Sequence, residues 1–263
     1  MKKLKSLFIF LLCITAVFSA AGCGMLISGG NVHNANGFTQ EKLMSARESV
    51  RQSNIAIDTL YQKKGFFISR TQGVGLGSGV IFKEDQTNYY ALTNHHVITN
   101  VLDGVEYTTK YTITDINGYE YDGTVLISDP DMDIAIVGFQ KRADSVLHLI
   151  DYRSRIENNV VQEEFVLAVG NPSGVKNIVT FGRILGYSRI GNVDYTVIHH
   201  NALINPGNSG GALCDLDGNL LGLNTWGSEN KDDNNFAIPL SQINDFIDKF
   251  ESSFNTSSEQ QAA

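Results

Sequence analysis

Cysteine, proline and tryptophan are scarce: the 263 residues include three, four and one of them. So few cysteines exclude a disulfide-rich scaffold, and so few prolines exclude a collagen-like or polyproline chain. Basic residues are in deficit too. Twenty Lys and Arg against 28 Asp and Glu leave a net charge of −8, which works against attachment to phosphate backbones, so no nucleic-acid partner is expected. Apolar residues are plentiful at 42% of the chain, enough for one large domain or two small ones sharing an interface. The apolar run Leu7 to Ala21 is nevertheless short of the ~18 residues that a membrane-spanning helix needs.

That run follows Lys2, Lys3 and Lys5 and ends in Ala20-Ala21-Gly22 before Cys23. A basic start, an apolar middle and small residues at a cleavage point make residues 1–22 an expected signal peptide, and the protein an exported one of the bacterial envelope or cell surface. Small residues running into a cysteine resemble the lipobox of bacterial lipoproteins. This implies lipidation of Cys23 and membrane attachment through acyl chains, the alternative being an ordinary signal peptide with an incidental cysteine. Cys214 is then the one cysteine left to the fold, so no disulfide is expected. Residues 23–40, rich in Gly and Asn, read as a tether. Glu41 to Gln52 reads as a short helix opening a domain over 41–251.

From about residue 53 to 239, short β-rich runs recur between turn signals, among them GSGVIFK, NYYALTNHHVI, DIAIVGF, EEFVLAVG and VDYTVIHHNAL. Asn117-Gly118 and Asp217-Gly218 mark antiparallel hairpins. The charged stretch Lys141 to Asn159 divides the strands into two groups, so the pattern predicts an all-β fold of two packed barrels, about 53–140 and about 160–239. After Pro239 the period changes. Leu240, Ile243, Phe246, Ile247 and Phe250 share one helical face, predicting an amphipathic helix over about 240–251 docked on the second barrel, with 252–263 a disordered tail.

Asn205-Pro206-Gly207-Asn208-Ser209-Gly210-Gly211 is a glycine-flanked serine between strands. It is either a glycine-rich hairpin loop or a nucleophile whose neighbouring N–H groups face a developing anion. A serine nucleophile needs a base held by a third group. Thr93-Asn94-His95-His96-Val97 offers two histidines at the end of a strand, and Asp133 opens the apolar run Ile134-Ala135-Ile136, where a carboxylate is costly unless paired. The order His, Asp, Ser is that of the chymotrypsin chain. His199 and His200 are adjacent on a strand and point to opposite faces, so no metal site is expected there. Cys214 reads as a small core residue.

GSGVIF, LTNHHVI, DMDIAIV, VLAVGNPSG, INPGNSGGAL, GLNT and FAIP, collinear over about residues 50–248, resemble the protease domain of the HtrA (Deg) family of trypsin-like serine proteases. The resemblance implies two antiparallel six-stranded barrels of the chymotrypsin type and cleavage of unfolded or extended polypeptide. It implies His96 as base, because the family pattern is Thr-Asn-Asn-His-Val and His95 replaces an asparagine. It further implies Asp133 as the residue orienting His96, Ser209 as nucleophile, and an oxyanion hole at Gly207, Asn208 and Ser209. Ile204, Asn224, Thr225 and Trp226 are implied to border an apolar substrate pocket. No cofactor or metal is implied. Family members assemble as homotrimers through segments near the N-terminus, for which residues 41–60 are the candidate. The expected chain lacks a PDZ domain, and it has Ala212 where the family has proline. A protease-fold binding or chaperone protein with a latched or lost site is the alternative reading.

Overall fold

A computed structural model describes residues 38–63, 70–155, 160–191, 193–228 and 231–261. The expected signal peptide, Cys23 and the tether up to residue 37 lie outside these residues. Within them the chain begins with α1 (Gln40–Gln52). Thr39 caps it, its hydroxyl accepting from the Lys42 N–H at 3.0 Å, which satisfies one of the donors that a helix start leaves unpaired. Ala46 and Val50, four residues apart, are its buried face.

The first barrel comprises β1 (Asn54–Lys63), β2 (Arg70–Glu84), β3 (Asn88–Thr93), β6 (Thr108–Thr114), β7 (Glu120–Asp129) and β8 (Ile134–Gln140). Between β3 and β6 come the one-turn helix α2 (His95–Ile98) and the short pair β4 (Val101–Leu102) and β5 (Val105–Glu106). The barrel closes in the order β1-β2-β3-β8-β7-β6 with antiparallel neighbours. The second comprises β9 (Phe165–Gly170), β10 (Ile178–Arg189), β11 (Thr196–His200), β12 (Ala212–Cys214), β13 (Leu220–Ser228) and β14 (Lys231–Pro239), closed as β10-β11-β14-β13-β12-β9. Two closed six-stranded antiparallel barrels followed by α3 (Leu240–Gln261) are the architecture that the strand pattern and the resemblance imply.

Strand alternation explains why the central runs are apolar at every position. Ile81, Ala91, Ala135 and Val137 fill the interior of barrel one, while their neighbours Val80, Leu92, Ile134 and Ile136 face outward into a shared core. Barrel two answers with Val169, Ala212, Leu223 and Ile238 on the same core, and keeps Val166, Ile184, Ile198 and Leu213 inside. Residues i and i+1 of a strand point to opposite faces. A strand buried on both faces therefore loses the polar half of its pattern.

Two details differ from the sequence pattern. The helix α3 was expected to dock on barrel two and end near 251. It also reaches barrel one, where Phe250 packs on Phe82 and Tyr90 and Lys83 pairs with Glu251 at 2.8 Å. It runs to Gln261 rather than giving way to a tail. No Gly or Pro after Pro239 stops it, and the Ser252 hydroxyl bonds back to the Asp248 carbonyl on its own helix. His95 and His96 follow the end of β3 after one intervening residue, Asn94, and stand on the one-turn helix α2.

Candidate active site

The turn before β8 places Asp133 under α2. Asp133 has a positive φ of 54°, a sparsely populated conformation for a non-glycine residue. Its carbonyl accepts from Asn94 Nδ2 at 2.9 Å and from the His95 N–H at 3.2 Å, which ties the turn to the start of α2. The carboxylate is 10% exposed and fully engaged. Oδ1 accepts from the His96 N–H at 3.0 Å, Oδ2 lies 2.9 Å from His96 Nδ1, and Thr225 Oγ1 donates to Oδ2 at 2.9 Å. An ionised carboxylate only accepts, so the proton on the imidazole belongs on Nδ1 and the lone pair on Nε2. His96 itself is 44% exposed. Tyr195, from barrel two, braces the turn by donating to the Met132 carbonyl at 2.7 Å, and burial followed by the nearby Asp133 and Asp129 charges pushes its phenol well up.

Ser209 lies across the barrel interface from this pair. Its hydroxyl donates to the Thr225 carbonyl at 3.3 Å, and among the described residues no hydrogen bond joins it to His96. The three preceding carbonyls are each held: Pro206 by the Ser173 N–H at 2.9 Å, Gly207 by the Ser78 hydroxyl at 2.7 Å, and Asn208 by the Gly211 N–H at 3.0 Å. A trans peptide sets its N–H opposite its carbonyl. Holding the Pro206 and Asn208 carbonyls therefore turns the Gly207 and Ser209 N–H groups the other way, and among the described residues neither has a partner. Two free N–H groups thus stand beside a half-buried hydroxyl, the kind of arrangement that can receive a developing anion. Glycine is required at two points of this loop. Gly207 has φ +102° and a Cβ there would stand 2.5 Å from the Asn171 carbonyl oxygen, while at Gly210, φ +82°, a Cβ would meet the Ser78 carbonyl and Thr93 Oγ1.

Beside Ser209 is a cavity of about 290 Å³ lined by Ile204, Asn205, Pro206, Thr225, Trp226 and Gly227. Of the four expected pocket residues, Ile204, Thr225 and Trp226 line it. Asn224 does not. It is fully buried, its Nδ2 donating to the Ala212 carbonyl at 2.8 Å and its own carbonyl accepting from the Gly210 N–H, because along β13 it points away from the side that Thr225 faces. Thr225 and Trp226 also border a second cavity of about 320 Å³ together with His95, His96, Pro130, Asp133 and Val193, so these two residues are common to both hollows. Thr225 does more than the sequence suggested, since its hydroxyl reaches Asp133 across 92 positions of chain. Tyr195 was not anticipated at all.

His199 and His200 stand apart from the cleft. His199 stacks on Phe236 at 4.9 Å between ring centroids, and His200, on the opposite face, is fully buried. Neither His200 ring nitrogen makes a well-formed hydrogen bond among the described residues. Burial, then the neighbouring His199, lowers its pKa to about 3, with only a small offset from the Ala202 backbone. Burial pushes the Cys214 thiol well up, so it stays a protonated core residue. Among the described residues no group of three or more His, Cys, Asp or Glu side chains gathers to hold a metal ion, and no helix is long and apolar enough to cross a membrane.

Comparison with known proteins puts this cleft in context. The trypsin-like peptidase domain family matches residues 77–223, a span that includes His96, Asp133 and Ser209. The chain is 30% identical over 250 residues to the serine endoprotease DegS of Haemophilus influenzae, covering 89% of this chain and 69% of that protein. It is 36% identical over 176 residues to a probable periplasmic DegP-like serine endoprotease of Buchnera aphidicola, covering 64% and 35%. It is 32% identical over 183 residues to the serine protease Do-like HtrB of Bacillus subtilis, covering 65% and 38%. The chain thus spans about two thirds of the first relative and little more than a third of the other two. Among solved structures, the serine endoprotease from Yersinia pestis superposes with a TM-score of 0.59 at 28% identity, over 79% of this chain and 66% of that one.

Proposed function

Because the chain belongs to the trypsin-like peptidase family, among serine endoproteases of the HtrA/Deg kind, we propose that it is an exported, lipid-anchored serine endopeptidase that hydrolyses unfolded or extended polypeptide in the cell envelope or at the cell surface, in protein quality control or processing. The observation that carries this reading is the His96 imidazole held with Nδ1 on the Asp133 carboxylate at 2.9 Å, in the cleft that also holds Ser209 and two unpaired N–H groups.

In this proposal the Ser209 hydroxyl leaves the Thr225 carbonyl and gives its proton to His96 Nε2 as its oxygen attacks the substrate carbonyl. Asp133 does not take the proton. It holds the ring tautomer and stabilises the imidazolium that forms. The carbonyl electron pair moves onto oxygen, facing the Gly207 and Ser209 N–H groups. His96 then protonates the departing amine, and a water molecule deprotonated by His96 hydrolyses the acyl-enzyme and restores Ser209. The residue before the cleaved bond occupies the cavity beside Ile204 and Trp226. Its apolar walls suit an aliphatic side chain.

Export and anchoring rest on residues 1–23, and relatives named as periplasmic proteases support export. The mass of the mature N-terminal peptide tests them: diacylglycerol on Cys23 supports anchoring, and a free thiol contradicts it. Assembly as a homotrimer through residues 41–60 is part of the same proposal, tested by the mass of the particle in solution. A second reading, a latched protease-fold binding protein, draws on the Ser209 hydroxyl facing Thr225 rather than His96. Hydrolysis of a permanently unfolded polypeptide separates the two. The endopeptidase reading expects cleavage by the full chain and none by Ser209→Ala, whereas binding without cleavage by the full chain would favour the latched protein.

A further inference from the structure

The loop that carries Ser209 belongs to barrel two, yet a hydroxyl of barrel one holds it. Ser78, on β2, has no exposed surface. Its N–H donates to the Ser209 carbonyl at 2.8 Å and its Oγ donates to the Gly207 carbonyl at 2.7 Å, so one residue grips the carbonyls on both sides of Asn208. The direction of the Oγ proton is settled by its other partners. Asn171 supplies two donors to Oγ, its N–H and its Nδ2, each at 2.9 Å. A hydroxyl has two lone pairs and one proton, so with both lone pairs filled the proton goes to Gly207.

Asn171 is in turn fixed. Its Nδ2 also donates to the Ile55 carbonyl at 2.9 Å, and its Oδ1 accepts from the Asn177 N–H at 2.9 Å and from Asn54 Nδ2 at 3.3 Å. Asn54 lies where α1 meets β1, so the network runs from the N-terminal end of barrel one to the serine loop. Ser78 and Asn171 are fully satisfied, which stiffens the end of the network that meets the serine loop, while Asn54 Oδ1 at the far end has no partner among the described residues. The stretch 171–177 shows the constraint in its backbone: Ser173 and Asn177 have φ of 51° and 58°, and the Ser173 N–H holds the Pro206 carbonyl.

We infer that Ser78, oriented by Asn171, is a positioning residue for the oxyanion hole, holding the Gly207–Asn208 peptide so that the Gly207 and Ser209 N–H groups stay turned toward the substrate oxygen. Glycine at position 207 offers no steric resistance to rotation about its own φ and ψ. Only the bonds at its two ends keep the peptide in place: Ser78 on the Gly207 carbonyl, and Asn205, whose carbonyl accepts from the Asn208 N–H at 2.9 Å. With Oγ removed, the Gly207 carbonyl and the Asn171 N–H lose their partner, Asn171 Nδ2 keeps only the Ile55 carbonyl, and the Gly207 N–H is held in line by the Ser173 bond to the Pro206 carbonyl alone. The cost falls on the transition state, where the substrate oxygen carries charge, and not on ground-state binding.

This inference rests on the serine endopeptidase reading, and one experiment separates the failure of either. In the full chain, kcat and KM are measured on a peptide amide, alongside the affinity for a peptide boronate whose tetrahedral adduct places an oxygen in the hole. Ser78→Ala is expected to lower kcat about 10- to 100-fold, below the loss typical of deleting a hole donor outright, and to weaken boronate binding by a similar factor with KM unchanged. Ser78→Cys keeps a weaker donor at the same place and is expected to fall between, which carries the test if the alanine variant does not fold. Wild-type kcat and boronate affinity in a folded Ser78→Ala or Ser78→Cys would overturn the positioning role while leaving the endopeptidase reading intact. A rise in KM matching the fall in kcat/KM would likewise overturn it, as damage to the substrate cleft. An unmutated chain that neither cleaves nor binds the boronate would overturn both.

Discussion

Two aspartates of barrel one, Asp115 and Asp133, look alike by burial and hydrogen bonding, being 1% and 7% exposed. Asp115 accepts from the Asn117 and Tyr119 N–H groups and from the Tyr121 and Ser145 hydroxyls. Asp133 accepts from a backbone N–H, a hydroxyl and an imidazole. Every partner of Asp115 is a neutral group that keeps its proton, so its carboxylate only pins a hairpin. The same turn recurs in barrel two, where Asp215 accepts from the Asp217 and Asn219 N–H groups and is followed by Gly218 at φ +84°, as Asp115 is by Gly118 at φ +85°. Asp133 differs in one respect, that one partner can change its protonation state and opens onto a cleft. Burial and donor count mark a costly residue, and the chemistry of the partner says what the cost is for.

Substitution separates the two aspartates. Asp133→Asn is expected to lower kcat by about 10⁴, because an amide donor facing Nδ1 stabilises the wrong imidazole tautomer, while thermal unfolding stays close to that of the unmutated chain. Asp115→Ala should do the reverse. It leaves two N–H groups and two hydroxyls without their acceptor and is expected to cost about 2–4 kcal/mol in denaturant unfolding, with kcat per folded molecule unchanged. A stability loss at Asp133 as large as that at Asp115 would erase the distinction. Thr225→Val, which removes one of the donors to Asp133 at constant shape, is expected to lower kcat about tenfold, the size of one hydrogen bond to a charged group.

The histidines give a parallel contrast. His96 is partnered and open, whereas His200 is buried with a pKa of about 3. The unfolded chain takes up a proton on this side chain near its ordinary value of 6.5, before the folded chain does. Stability present above pH 6.5 is therefore lost as pH falls toward 3, at up to about 1.4 kcal/mol per unit from this group. Urea unfolding at pH 7 and pH 5 should show a smaller difference in His200→Leu than in the unmutated chain, and an equal difference would remove His200 from the account.

The sequence pattern carried the strands, the two barrels, α1 and the candidate triad, because alternation, glycine at tight turns and an acid at the mouth of an apolar strand are local signals. What it did not carry are contacts between distant segments. That Thr225 points at Asp133 while Asn224 points into the β12–β13 frame depends on a strand register set across the barrel interface. Phe250 was legible as one member of an apolar helical face, but its contacts with Phe82 and Tyr90 join it to strands of barrel one far along the chain. Ser78 stood inside a quoted motif as an unremarkable strand serine, and only its distance to the Gly207 carbonyl gives it a role.

The central claim is that His96, Asp133 and Ser209 work as one unit. Treating the full chain with a fluorophosphonate probe and locating the label by mass spectrometry of its peptides tests it most directly. The account predicts a single adduct on the Ser209 hydroxyl, absent in Ser209→Ala and strongly slowed in His96→Ala and Asp133→Asn. Labelling of Ser209 that is equally fast in those two variants, or no adduct on a folded unmutated chain, would contradict it.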